Sequence, residues 1–118
     1  MNSMNNSGLS RPNLFLIGAP KAGTSSLADS LARHPSVYCW KKEPRFFDAS
    51  VFYDDPALYP IPTIEKYLEN YDNPDAEAAV YRLDASVFNM YSVDSINQIK
   101  KLSPDAKLLL VLRDPVDA

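Results

Sequence analysis

The chain has 118 residues, a formal net charge of -3, one cysteine and one histidine. That length allows one domain at most, and 46% hydrophobic with 11% aromatic residues supports a globular core. The acidic balance argues against a general nucleic-acid binder, while the lone Cys39 and lone His34 exclude an internal disulfide and leave too little for a zinc site or a Ser-His-Asp triad.

Residues 1–12 read as a disordered lead, because Met1 to Gly8 is polar and lacks the charged and apolar regions of a signal peptide. No stretch approaches the roughly 20 apolar residues of a membrane span, so the sequence defaults to the cytoplasm. Residues 13–118 read as a domain that opens with a strand at Asn13–Ile17. The chain breaks at Gly18 and Pro20, carries Lys21, and restarts at Thr24-Ser25 as a helix to about Arg33. Leu27 and Leu31 stand one turn apart, with Ala28 and Ala32 beside them, and Pro35 ends the helix. His34 then suits a partner for the C-terminal end of the helix dipole.

A strand that turns through glycine into a helix N-terminus makes a phosphate cradle, since the first-turn N–H groups are unpaired and the dipole favours negative charge. Gly23 allows close backbone approach, Thr24 and Ser25 add hydroxyls, and Lys21 supplies a mobile cation. Gly18-x-x-x-x-Gly23 matches a Walker A frame, but that motif needs lysine directly after the second glycine, where this chain has Thr24.

Val37–Trp40 reads as a second strand. Lys41 to Asp48 follows, a charge run that enters Phe46-Phe47. On composition it is a solvated turn with a hydrophobic anchor, while its place beyond a strand suits an active site. Residues 49–63 read as irregular, and Tyr53 and Tyr59 suit either a substrate-facing loop or a cover for the core. A helix is expected at Ile64–Tyr71, capped by Thr63, with a turn at Asn73-Pro74-Asp75. A third strand at Ala79–Leu83 runs into Asp84-Ala85-Ser86. A further helix at Ser92–Leu102 should bury Val93, Ile96, Ile99 and Leu102. Lys107–Leu112, nearly all apolar, reads as a central strand buried on both faces, with Arg113 at its end. Alternating strands and helices predict an α/β fold, a P-loop-like parallel sheet flanked by helices. Lys21, Glu43 and Arg113 then all follow strands and share one edge of the sheet.

These motifs in this order are similar to the N-terminal part of sulfotransferases that use 3′-phosphoadenosine 5′-phosphosulfate (PAPS), in the heparan-sulfate and related carbohydrate branch. Phe15–Leu27 resembles their 5′-phosphosulfate loop, and Lys42-Glu43-Pro44-Arg45-Phe46-Phe47-Asp48 resembles the segment bearing their catalytic glutamate. Leu83–Ser86 resembles the acceptor-side strand end, and Lys107–Pro115 the strand and arginine that hold the 3′-phosphate. The resemblance implies transfer of a sulfuryl group from PAPS to a hydroxyl or amine, on a carbohydrate acceptor. Lys21 would neutralise the leaving bisphosphate, helped by the amides of Ala22, Gly23 and Thr24 and the hydroxyls of Thr24 and Ser25. Glu43 would be the general base, Arg113 would pair with the 3′-phosphate, and Arg45, Asp84 and Ser86 would meet the acceptor. No metal is required.

Three positions depart from the family pattern: Arg45 stands where histidine is common, Val87 where proline is common, and Ala85 where some members carry lysine. A second 3′-phosphate ligand, a serine about two helical turns past the arginine, falls beyond Ala118. The chain is therefore expected to be an incomplete, truncated portion of the sulfotransferase fold, marginally stable and inactive alone. If an N-terminal anchor precedes it, the Golgi lumen replaces the cytoplasm. The competing readings are a P-loop nucleotide kinase or NTPase, which would prefer ATP, and a vestigial nucleotide-binding module, which would bind donor without turnover.

Overall fold

The computed structural model describes residues 10–112. Arg113, and with it the expected 3′-phosphate contact, lies outside the described residues. Strands β1 (Leu14–Gly18), β2 (Val37–Tyr38), β3 (Tyr81–Asp84) and β4 (Lys107–Leu110) form a four-stranded sheet in the order β2-β3-β1-β4. Every pairing is parallel, with Leu14 opposite Leu83 on one side and Lys107 on the other. The predicted α/β architecture is the one observed.

The alternation of side chains along β1 builds a core on each face of the sheet. Leu14 and Leu16 point to one side, where they meet Ala28, Leu83, Ala85 and Val87. Helix α1 (Thr24–Ala32) covers this face with Leu27 and Leu31. Phe15 points to the other side and joins Phe47, Tyr67, Leu68, Tyr71 and Ile99. These come from the segment beyond β2, from α3 (Ile64–Glu69) and the turn after it, and from α5 (Val93–Leu102).

Cap chemistry explains the helix starts. Thr63 accepts from the Lys66 N–H (3.2 Å) and Ser92 from the Ser95 N–H (3.1 Å). Asn73-Pro74-Asp75, expected as a turn, instead starts a short helix, α4 (Pro74–Ala78). Asn73 Oδ1 accepts from the Ala76 N–H (2.9 Å), and proline fits the first helical position, where no N–H is needed. Two further short pieces lie in stretches expected as irregular: helix α2 (Ala49–Phe52) and a 3₁₀ turn at Pro56–Leu58. A second 3₁₀ turn, Val87–Tyr91, follows β3.

Strand β4 overturns its expected place. Among the described residues it lies at the edge of the sheet, with Lys107 and Leu108 exposed, Leu110 49% exposed and, just beyond it, Leu112 70% exposed. An apolar run marks burial only where neighbours exist on both sides, and the central positions fall to β1 and β3. On α5, Val93 is 79% exposed and Ile99 carries the burial. His34 Nδ1 accepts from the Ser36 N–H (3.0 Å), which ties it into the turn after α1.

Residues 10–12, assigned by sequence to the lead, are tied down. Ser10 and Pro12 are buried, and Ser103 Oγ donates to the Pro12 carbonyl (2.6 Å). Arg82 Nε donates to the Arg11 carbonyl (2.6 Å).

Candidate active site

The phosphate loop bridges β1 and α1. Lys21 (φ 62°) and Gly23 (φ 82°) both sit in the left-handed region on either side of Ala22. Gly23 caps α1, whose first turn has no side-chain cap and no acidic residue, so its positive end is open. A Cβ on Gly23 would meet nothing within 4 Å. The base of the loop is tight, since a Cβ on Gly18 would collide with the Met90 side chain.

The loop's polar groups divide. The Ala22 N–H donates to the Ala19 carbonyl (3.3 Å), as does Thr24 Oγ1 (3.4 Å), so both already serve the turn. Lys21, Gly23 and Ser25 are exposed. With Lys42 and Glu43, the side chains of Lys21, Thr24 and Ser25 line one cavity of about 240 Å³. Loops after β1 and β2 are thus brought together, as parallel strands require of their carboxyl ends. Ala85, Val87 and Phe88 add an uncharged part of the lining.

Glu43 is half-buried. Its Oε1 has no hydrogen-bond partner among the described residues, and Arg45 Nη2 stands 4.0 Å away. Arg45 itself adopts φ 58° and lays its guanidinium 4.3 Å from the centre of the Phe52 ring. That stacking suits a planar, weakly hydrated cation.

Asp84 and Ser86, expected to meet an acceptor, are fully buried and work from beneath. Asp84 Oδ2 accepts from the Tyr67 hydroxyl (2.5 Å) and Oδ1 from the Ser86 N–H (2.9 Å). Ser86 Oγ in turn accepts from the Arg45 N–H (3.1 Å), and the Ala85 N–H donates to the Lys42 carbonyl (2.7 Å). The end of β3 therefore fixes the backbone of residues 42–45. Burial pushes the Asp84 carboxyl up, against the lowering effect of the Tyr67 and Ser86 hydrogen bonds. Burial, followed by the Asp84 charge, pushes the Tyr67 hydroxyl well above its ordinary range.

Lys42 is a residue that sequence reasoning passes over, although it lines the cavity beside Glu43. Its ammonium pairs with Asp29 of α1. Its only signal in the sequence is membership of the charge run. Among the described residues no His/Cys/Asp/Glu cluster has the makings of a metal site, and no helix is long and apolar enough to cross a membrane.

No protein-family model matches the chain. It is 29% identical over 113 residues to a bifunctional heparan sulfate N-deacetylase/N-sulfotransferase 1 of Caenorhabditis briggsae, covering 96% of this chain and 12% of that protein. It is 29% identical over 105 residues to heparan sulfate glucosamine 3-O-sulfotransferase 3B1 of Homo sapiens, covering 89% of this chain and 24% of that protein. The chain thus spans a quarter or less of these relatives. A crystal structure of a sulfotransferase from Alicyclobacillus acidocaldarius superposes with a TM-score of 0.75 at 36% identity, over 92% of this chain and 47% of that one. By sequence and by fold, the chain is similar to sulfotransferases, those named for heparan sulfate among them.

Proposed function

We propose that this chain is the donor-binding part of a sulfotransferase that moves a sulfuryl group from PAPS to a hydroxyl or amine of a carbohydrate. The observation that carries this reading is the shared cavity, in which the phosphate loop and Glu43 face the same space. The relatives named for heparan sulfate support the acceptor class.

In the reaction, the acceptor oxygen or nitrogen bonds to sulfur while the bond from sulfur to the 5′-phosphate oxygen breaks. Glu43 takes the acceptor's proton, and the electron pair leaves with the bisphosphate. Lys21 meets the charge that develops there, assisted by the exposed Ser25 hydroxyl and the open amides at the start of α1. Arg45 flanks the base, and Asp84 and Ser86 hold the loop that carries both. Arg113 is proposed as the 3′-phosphate contact.

Titration of adenosine 3′,5′-bisphosphate and of magnesium-ATP into the chain tests the donor assignment. The bisphosphate is expected to bind in preference, and Lys21→Ala to abolish most of that binding. Preference for magnesium-ATP would overturn the assignment in favour of a P-loop NTPase. Glu43→Gln is expected to leave bisphosphate binding in place, because the base acts on the acceptor.

A further inference from the structure

The cavity contains a second cation besides Lys21, and its placement gives it a separate role. Lys42 is anchored at its main chain, where its carbonyl accepts from the Ala85 N–H (2.7 Å). Its ammonium reaches across to Asp29, with both side chains 46% exposed. An ion pair that open is weak, so it exchanges readily for a better-desolvated anion. Lys42 lines the cavity together with Glu43, its neighbour in sequence, whereas Lys21 belongs to the phosphate loop. Ala85, Val87 and Phe88, which also line the cavity, bring no charge.

On the donor reading above, the sulfuryl group must sit between the loop and Glu43. Lys42, which lines the same cavity as Lys21 and Glu43, is placed to meet its non-bridging oxygens. We propose that Lys42 is a donor-binding residue that leaves Asp29 to contact the sulfuryl oxygens. Asp29 acts as its resting partner and keeps the ammonium from pairing with the adjacent Glu43, whose Oε1 stays without a hydrogen bond among the described residues. This inference rests on the sulfotransferase reading, and it divides the work between the two lysines, with Lys21 serving the 5′-phosphate and Lys42 the group transferred.

The test compares PAPS with adenosine 3′,5′-bisphosphate, which lacks the sulfuryl group, by calorimetric titration of the full chain. Lys42→Gln is expected to weaken PAPS about tenfold or more, the scale of one charge-assisted hydrogen bond, and to leave the bisphosphate unchanged. Retained bisphosphate binding also shows that the variant is folded. Asp29→Asn is expected to tighten PAPS, because the competing carboxylate is gone. Equal weakening of both nucleotides by Lys42→Gln, or of neither, would overturn the assignment. A wild-type chain that binds neither nucleotide would sink the donor reading itself, and this inference with it.

Discussion

Asp48 is a fully buried carboxylate whose two oxygens have no hydrogen-bond partner among the described residues. Burial first, and the neighbouring Asp84 charge second, push it from its ordinary 3.8 up to about 6. Between those values the folded chain holds a proton that the unfolded chain has released. Stability therefore falls as pH rises through this window, and the full penalty is present above about pH 6. At 1.36 kcal/mol per unit the penalty reaches about 3 kcal/mol. Asp48→Asn imitates the protonated acid and removes the titration. Urea denaturation of both proteins at pH 4 and pH 7 isolates the effect, since any intrinsic cost of the amide cancels in the difference. The advantage of Asp48→Asn should grow by about 2 to 3 kcal/mol between those two values of pH. A difference that stays constant with pH, or shrinks toward pH 7, would refute the claim that Asp48 is an uncompensated buried charge.

Three other substitutions probe the interior network, the loop and the sheet edge. Tyr67→Phe breaks a buried 2.5 Å bond to Asp84 and should cost about 1.5–3 kcal/mol, against about 1 kcal/mol for Tyr71→Phe, whose hydroxyl donates to the Leu83 carbonyl at 3.2 Å; the reverse order in urea denaturation would contradict the buried network. Gly23→Ala introduces a Cβ that clashes with nothing, so its loss in thermal denaturation should be only the backbone strain of φ 82°, about 1–2 kcal/mol. Leu110→Lys, on the exposed edge strand, should change stability by no more than about 0.5 kcal/mol and reduce light scattering at high concentration. A large loss of stability would show that β4 is covered.

The phosphate loop is legible in sequence because strand, glycine, lysine and hydroxyls are consecutive, so local chemistry reports it without tertiary knowledge. The helix starts at Thr63 and Ser92 are legible for the same reason. What stays hidden depends on neighbours. Lys107–Leu112 is as apolar as a central strand, but the order of the described strands puts it at the edge. Asp84 and Ser86 have polar side chains that suit an acceptor site, yet Tyr67, from a helix 17 residues earlier, seals Asp84 in the interior. Lys42 is hidden among four charges, and only folding shows which of them meets α1. Asn73-Pro74-Asp75 is a different case, since a turn and a helix start share that composition and the free Ala76 N–H settles the choice.

The parallel order of the sheet also sets a timetable for synthesis. Strand β1 emerges first, but its partners are Leu83 and Lys107, about 70 and 93 residues further along. At roughly 5–20 residues per second, an apolar strand waits on the order of 5–20 s for the last of them to leave the ribosome. The segment before it is in the same position, because Pro12 is held by Ser103. The central layer of the protein thus closes only when nearly all of the described chain is present, and until then Leu14, Phe15 and Leu16 lack the neighbours that bury them.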